Sequence, residues 1–247
     1  MFKISVITIC YNSEKTILNT INSVKNQNYK NIEYIIIDGG STDNTISIIN
    51  NSNSNHILIS ESDKGIYDAM NKGIKIASGD FITFLNSDDQ YVDNNIINEV
   101  NKHLTCNIDI TYGDVIFYKN NINNKIYRKY KSNIFKPQLI KFGIMPAHPG
   151  MFINKNLFRK HGLFNIEFKI SGDFEFIARI FKTTNIIYIY IPKALVFMQS
   201  GGISNKNLFN KILLNIEIYK ACKLNNYKTN YLFILLRYII KIKEYIK

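Results

Sequence analysis

The segment Lys3–Cys10, KISVITIC, is almost unbroken in β-branched and apolar residues. A half-exposed strand alternates polar and apolar side chains, whereas a strand without a polar face is covered on both sides, as in a parallel sheet between layers of helices. The following residues fit the crossovers such a sheet requires. Asn12 and Ser13 can end the strand and cap a helix whose apolar face is Ile17, Ile21 and Val24. Tyr34–Ile37 reads as the next strand and Thr45–Asn51 as the next helix, with Ser41, Thr42 and Asp43 as its N-cap candidates. This βαβ pattern places any ligand at the carboxyl edge of the strands.

Carboxylates collect at that edge. Asp38 ends the second strand and enters the turn Asp38-Gly39-Gly40-Ser41. A carboxylate so placed can accept hydrogen bonds from a base or a ribose. Ile57–Ser60 forms a third short strand, and the mixed segment after it carries Asp63 and Asp68 into a helix over Tyr67–Ile76, with Met70, Ile74 and Ala77 facing inward. In GDFITFLNSDD, Gly79–Asp89, the strand Phe81–Leu85 delivers the adjacent pair Asp88 and Asp89. Neither the dinucleotide fingerprint GxGxxG nor a phosphate-loop lysine is present. Two adjacent carboxylates cannot face each other as an acid/base pair across a sugar. They suit a divalent cation that also takes oxygens from a diphosphate substrate.

The net charge of +12 invites a nucleic-acid reading, but the lysines run from Lys3 to Lys247 without an arginine cluster, zinc-finger spacing or aromatic-basic repeat. No nucleic-acid partner is expected. Cys10, Cys106 and Cys222 are scattered and odd in number, which indicates a reducing compartment and no disulfide framework. Tyr11–Lys15 interrupts the first apolar run, so no signal peptide is expected and the chain is placed in the cytoplasm.

In the second half, Tyr112–Tyr118 and Lys125–Tyr130 read as a hairpin around the asparagine-rich 120–124 turn. The chain then crosses to Met151–Asn154; Phe174–Phe181 is a helix with Phe174, Ile177 and Phe181 inward and Glu175 at the surface or backing the site from behind; Ile186–Ile191 is β-like, and Leu195–Gln199 leads to the glycines that follow. Phe209, Ile212, Leu213, Ile216 and Tyr219 form a further helical stripe, and the apolar run from Tyr231 ends too soon to span a bilayer. That last helix fits a membrane interface, a second subunit or the catalytic domain itself.

Taken together, SVITICYNSEKTI (5–17), IIIDGGSTDNT (35–45), ESDKGIYDAMNKGIKIASGDFITFLNSDD (61–89), HPGMFINKNLFRKHGLFN (148–165), ISGDFEF (170–176) and GGIS (201–204) resemble the inverting family-2 glycosyltransferases of small bacterial capsule, O-antigen and colanic-acid-type enzymes. The resemblance implies an α/β fold of the GT-A type, a Rossmann-like α/β/α sandwich with a mixed central sheet plus C-terminal helices. It implies a catalytic domain over 1–204, with a nucleotide-sugar half to about 89 and an acceptor half beyond, followed by a basic helical segment over 205–247.

The same resemblance assigns the site. Thr8, Cys10, Tyr11, Asn12 and Asp38 line the nucleotide pocket, with Asp38 near the base, and Asp63 and Lys64 follow as a donor-binding pair. Asn86-Ser87-Asp88-Asp89 stands as the DXD-type motif, Asp89 holding Mn2+ or Mg2+ and Asp88 facing the ribose or sugar. Asp173 is the catalytic base, His148 approaches the acceptor or the leaving diphosphate, and Gly201–Ser204 closes over that diphosphate. Gly172 stands where relatives often carry an acidic residue or alanine. The expected donor is a UDP-hexose or UDP-N-acetylhexosamine and the expected acceptor a polyprenyl-diphosphate-linked glycan, met at the cytoplasmic face of the inner membrane; a homo-oligomer is compatible. The alternative is a catalytically inactive sugar-nucleotide-binding or scaffold protein of the same fold.

Overall fold

A computed structural model describes residues 1–118, 126–183, 185–199 and 208–241. The first half is a parallel βα series: β1 (Ile4–Cys10), α1 (Ile17–Lys25), β2 (Ile32–Asp38), α2 (Thr45–Asn50), β3 (Ile57–Ser60), α3 (Ile66–Ile76) and β4 (Phe81–Phe84). After it come β5 (Gln90–Tyr91), α4 (Ile96–Asn101), β6 (Ile110–Tyr118), β7 (Ile126–Tyr130), β8 (Met151–Asn154), α5 (Lys155–His161), α6 (Gly172–Thr183), β9 (Tyr188–Gln199), α7 (Leu208–Leu224) and α8 (Tyr231–Ile240). Among the described residues these strands form one mixed sheet in the order β3-β2-β1-β4-β8-β6-β9-β5, with β7 beside β6. β1–β4 are mutually parallel, and β8 runs antiparallel to both β4 and β6.

The alternation along β1 explains the unbroken apolar run. Ile4, Val6 and Cys10 pack with Ile17, Ile21 and Val24 of α1 on one face, while Ile7 and Ile9 pack with Met70 and Ile74 of α3 on the other. Each fully buried isoleucine contributes about 2 kcal/mol of transfer free energy. The result is a three-layer α/β/α arrangement. Its register levels the strand ends, with Cys10 opposite Asp38 and Asp38 opposite Ser60.

Several expectations change. Asn12 does not cap α1; it takes a left-handed backbone (φ 48°) and accepts from Thr42 N–H at 2.9 Å, tying two edge loops together. The first turn of α1 is instead held by the Ser13 carbonyl, which accepts from Thr16 and Ile17 N–H. The β-like run after 186 is longer than expected: β9 continues through Gln199, following β6 across a register shift between Tyr112 and Asp114. Gly113 makes that shift sterically possible, since a Cβ there would lie 2.7 Å from the Lys193 carbonyl oxygen. Of the two expectations for Glu175 the surface one is overturned: it is buried and pairs with Arg179 at 2.8 Å. The α7 stripe divides: Phe209, Ile212 and Ile216 are exposed, Leu213 and Tyr219 are half-buried, and the buried face is Glu217, Ile218, Ala221 and Cys222. The expected 120–124 turn and the Gly201–Ser204 turn lie outside the described residues.

Candidate active site at the carboxyl edge of the sheet

Four loops converge beyond β1–β4. The β1 and β2 loops meet where Asn12 N–H donates to Ser41 Oγ at 2.8 Å, and Ser13 N–H donates to Thr45 Oγ1 at 2.7 Å. The loop after β4 joins them through a 2.8 Å hydrogen bond between the Ser13 and Ser87 hydroxyls. Ser60, ending β3, donates to Asp38 Oδ2 at 2.8 Å.

Asp38 is fully buried, and its oxygens accept from Gly40 N–H, Ser41 N–H, Ser41 Oγ and Ser60 Oγ. Burial alone would raise its pKa, but these donors outweigh it and hold the carboxyl below its usual range. Asp38 therefore braces the loop that follows it. Cys10 packs beside it with Sγ 3.6 Å from Oδ1, and burial, followed by the Asp38 charge, pushes the thiol far up. Thr8 is likewise fully buried and accepts from Tyr34 OH at 3.1 Å.

Two other groups face outward at this edge. Tyr11 is 62% exposed and lies beside Gly39. Asp63 is half-buried, and a Cβ on Gly39 would sit 2.5 Å from its Oδ2, so the absence of a side chain at 39 is what makes room for this carboxylate. Asp63 Oδ1 accepts from Gly65 N–H at 2.8 Å, and the exposed Lys64 donates its N–H to Asp68 at the start of α3.

The paired carboxylates separate by exposure. Asp88 is half-buried at the loop, whereas Asp89 is 1% exposed, and its Oδ2 accepts from Asn86 Nδ2 at 3.0 Å. Burial, then the neighbouring Asp88 charge, raises the Asp89 carboxyl well above its usual range; burial raises Asp88 as well. Asp89 Oδ1 and Asn86 Oδ1 are buried without hydrogen-bond partners. Among the described residues no three His, Cys, Asp or Glu side chains form a closed metal cage. Unpaired oxygens beside an accessible carboxylate fit a cation whose remaining ligands come from substrate and water.

Asp173 opens α6, where its Oδ1 accepts from Phe174 N–H at 2.8 Å and from Tyr67 OH at 3.0 Å. Burial, followed by the Asp173 charge, raises the Tyr67 phenol well above its usual range, so it stays protonated and donates. The ring of Tyr67 lies flat against Gly172, where a Cβ would come within 2.8 Å of it. His148 stacks on Phe84 (5.2 Å between ring centroids) and meets Phe164 edge-on. Burial holds its imidazole below the usual range while the Asp173 charge pulls the other way, and Nε2 has no hydrogen-bond partner. His148 and Asp173 line one cleft of about 270 Å³. His148 is therefore placed with Asp173 and not with the β1–β3 loops.

Sequence reasoning missed Glu217. This buried α7 carboxylate accepts from Lys169, Ile170 and Ser171 N–H at 2.7, 2.9 and 2.9 Å, fixing the backbone that leads into Asp173. A lone glutamate within the stripe Leu213-Ile216-Tyr219 was the available signal.

The profile of "Glycosyl transferase family 2" matches residues 5–162. An uncharacterized glycosyltransferase of Haemophilus influenzae is 31% identical over 252 residues, covering 98% of both chains. An Escherichia coli protein, UDP-Glc:alpha-D-GlcNAc-diphosphoundecaprenol beta-1,3-glucosyltransferase WfgD, is 32% identical over 83% of this chain and 81% of its own. The crystal structure of Staphylococcus aureus TarS 1–349 in complex with UDP-GlcNAc superposes with a TM-score of 0.67 at 19% identity, covering 96% of this chain and 71% of that one. With its mixed GT-A-like sheet, C-terminal helices and matching profile, the chain belongs to glycosyl transferase family 2.

Proposed function

We propose that the protein is an inverting glycosyltransferase that moves a sugar from a nucleoside-diphosphate donor to a hydroxyl of a polyprenyl-diphosphate-linked glycan in surface-polysaccharide assembly. The donor is read as a UDP-hexose or UDP-N-acetylhexosamine, as in the name of the E. coli relative. The observation that carries this reading is the link between Tyr67 and Asp173, which joins α3, just past the donor-side Asp63, to the carboxylate of the acceptor cleft.

In this reading Tyr11 and Asp63 meet the nucleoside, over a loop that Asp38 holds rigid. Asp173 takes the proton of the attacking hydroxyl as the new C–O bond forms at the anomeric carbon. The bond from that carbon to the diphosphate oxygen breaks, and its electron pair leaves with the nucleoside diphosphate. The half-buried Asp88, in place of the expected Asp89, which is 1% exposed, is the carboxylate that would reach a divalent cation, supported by Asp89 and Asn86 beside it; the cation would supply charge neutralisation at the diphosphate. His148, held between Phe84 and Phe164, lines the same cleft as Asp173.

The test is a screen of UDP-glucose, UDP-galactose and their N-acetylamino forms with Mn2+, read as donor hydrolysis and as transfer to a lipid-linked acceptor. At least one donor turns over, and Asp173→Asn abolishes transfer while UDP binding persists. Wild-type turnover in that variant would remove Asp173 from the role of base.

A further inference from the structure

The cleft that holds Asp173 and His148 extends to the C-terminal helix, and its composition is uneven. Its lining includes Arg128 from β7, with Arg237 from α8 and Lys241 at that helix's end, while Asp173 is the single carboxylate among the described residues that line it. Arg237 is 5% exposed and bonds only neutral oxygens, Asn215 Oδ1 at 2.9 Å and Tyr238 OH at 3.1 Å. No carboxylate pairs with it among the described residues. A buried guanidinium with neutral partners keeps most of its desolvation cost, and an anion entering the cleft would offset it. Tyr130 stands between the other two cations: the Arg128 guanidinium lies 5.4 Å from its ring centroid, and Lys241 Nζ donates to its hydroxyl at 2.7 Å. The Ser171 hydroxyl, also lining the cleft, is buried without a hydrogen-bond partner.

We propose that this cationic wall is the acceptor's phosphate subsite: Arg128, Arg237 and Lys241 bind the diphosphate that links the acceptor glycan to its lipid, with the reacting hydroxyl turned toward Asp173. The subsite rests on the glycosyltransferase reading above. Arginine suits it because its planar fork meets phosphate oxygens in pairs, and the neighbouring lysine adds a point charge. The helix that carries Arg237 turns an apolar face outward through Leu232, Leu235 and Ile239, all exposed, which agrees with a ligand whose far end is hydrocarbon.

Geranyl diphosphate is the probe, titrated calorimetrically into the full chain with UDP saturating the donor site. The wild type binds, and the Arg128→Gln/Lys241→Gln double variant binds at least about 10-fold more weakly per cation removed, with unchanged UDP affinity and melting temperature. Geraniol, which lacks the phosphates, binds neither protein measurably. Absence of geranyl diphosphate binding in the wild type, or equal binding in the variant, overturns the subsite. Co-sedimentation with phosphatidylglycerol vesicles separates the other source of phosphate: loss of vesicle binding with intact geranyl diphosphate binding would assign these cations to the bilayer and overturn the proposal. Failure of the wild type to bind UDP or to hydrolyse any nucleotide sugar would instead defeat the functional reading itself, which the diphosphate titration does not measure.

Discussion

Tyr67 and Asp173 lie 106 residues apart in sequence, yet the phenol donates to the carboxylate at 3.0 Å while its ring occupies the space a side chain at position 172 would need. The glycine in ISGDFEF and the tyrosine in KGIYDAM are thus two halves of one device. Tyr67→Phe removes one charge-assisted hydrogen bond from Asp173, the proposed base, so kcat is expected to fall about 10-fold or more with little change in donor KM. Gly172→Ala forces the ring aside and is expected to lose at least as much. Because both act on one contact, the Tyr67→Ala/Gly172→Ala pair should lose less than the sum of its single changes. Additive losses in a kinetic double-mutant cycle would show that the two residues act separately.

The Asp88–Asp89 pair is expected to divide its roles by exposure. Asp88→Asn should raise the Mn2+ concentration for half-maximal transfer by about 10-fold or more, and chelation should silence the wild type reversibly. Asp89 is buried beside a like charge, with its carboxyl raised by burial. Asp89→Asn removes an uncompensated buried carboxyl, so its melting temperature should equal or exceed that of the wild type in chelator. A strong destabilisation by Asp89→Asn would mean that its charge is paired in the apo protein.

Much of this edge was legible in the sequence because a parallel strand declares itself twice, by an unbroken apolar run and by polar residues at its carboxyl end. KISVITIC, YIII and FITFL located β1, β2 and β4, and the βα order located the ligand edge. Which carboxylate points into solvent was not legible. Asp38 and Asp63 both follow strands, and only the donors at Gly40, Ser41 and Ser60 reveal that the first is consumed within its own loop. The acceptor side was harder because its parts come from distant segments. Helical periodicity identified the apolar stripe of α7, but the buried face is the one bearing Glu217, whose value lies in three N–H groups more than forty residues upstream.

Away from the site, Glu33 sets an acid limit on stability. It accepts from Ser5 Oγ at 2.6 Å, Lys3 Nζ at 2.9 Å and Ser78 N–H at 2.7 Å, and these donors outweigh the upward pull of burial to bring its carboxyl down to about 2. A carboxyl depressed on folding stabilises the protein above its unfolded value, near 4.5, and that stability is lost as pH falls toward 2. Glu33→Gln should therefore be clearly destabilised at pH 7 and approach the wild type as pH falls from about 5 to 2. Parallel denaturation curves across this window check it; a constant difference would place the effect in packing.

Glu217 provides the sharpest test of whether the C-terminal helices belong to the catalytic machinery. Its carboxylate closes three backbone N–H groups of residues 169–171, and Ser171 is two residues from Asp173. Glu217→Ala strands those donors in a buried setting, at a cost of about 3 kcal/mol, which for a chain of this size lowers Tm by about 5–10 °C. Glu217→Gln keeps an acceptor of the same shape and should recover most of that stability. If the clamp only held α7 in place, transfer measured well below Tm would be normal in both variants. If it positions the base, Glu217→Ala should lose kcat at temperatures where it is fully folded, with UDP affinity unchanged because the partners of Glu217 lie at 169–171 and not in the β1–β4 loops. Glu217→Gln should then restore kcat along with Tm, since the segment entering α6 needs an acceptor at that point more than it needs a charge.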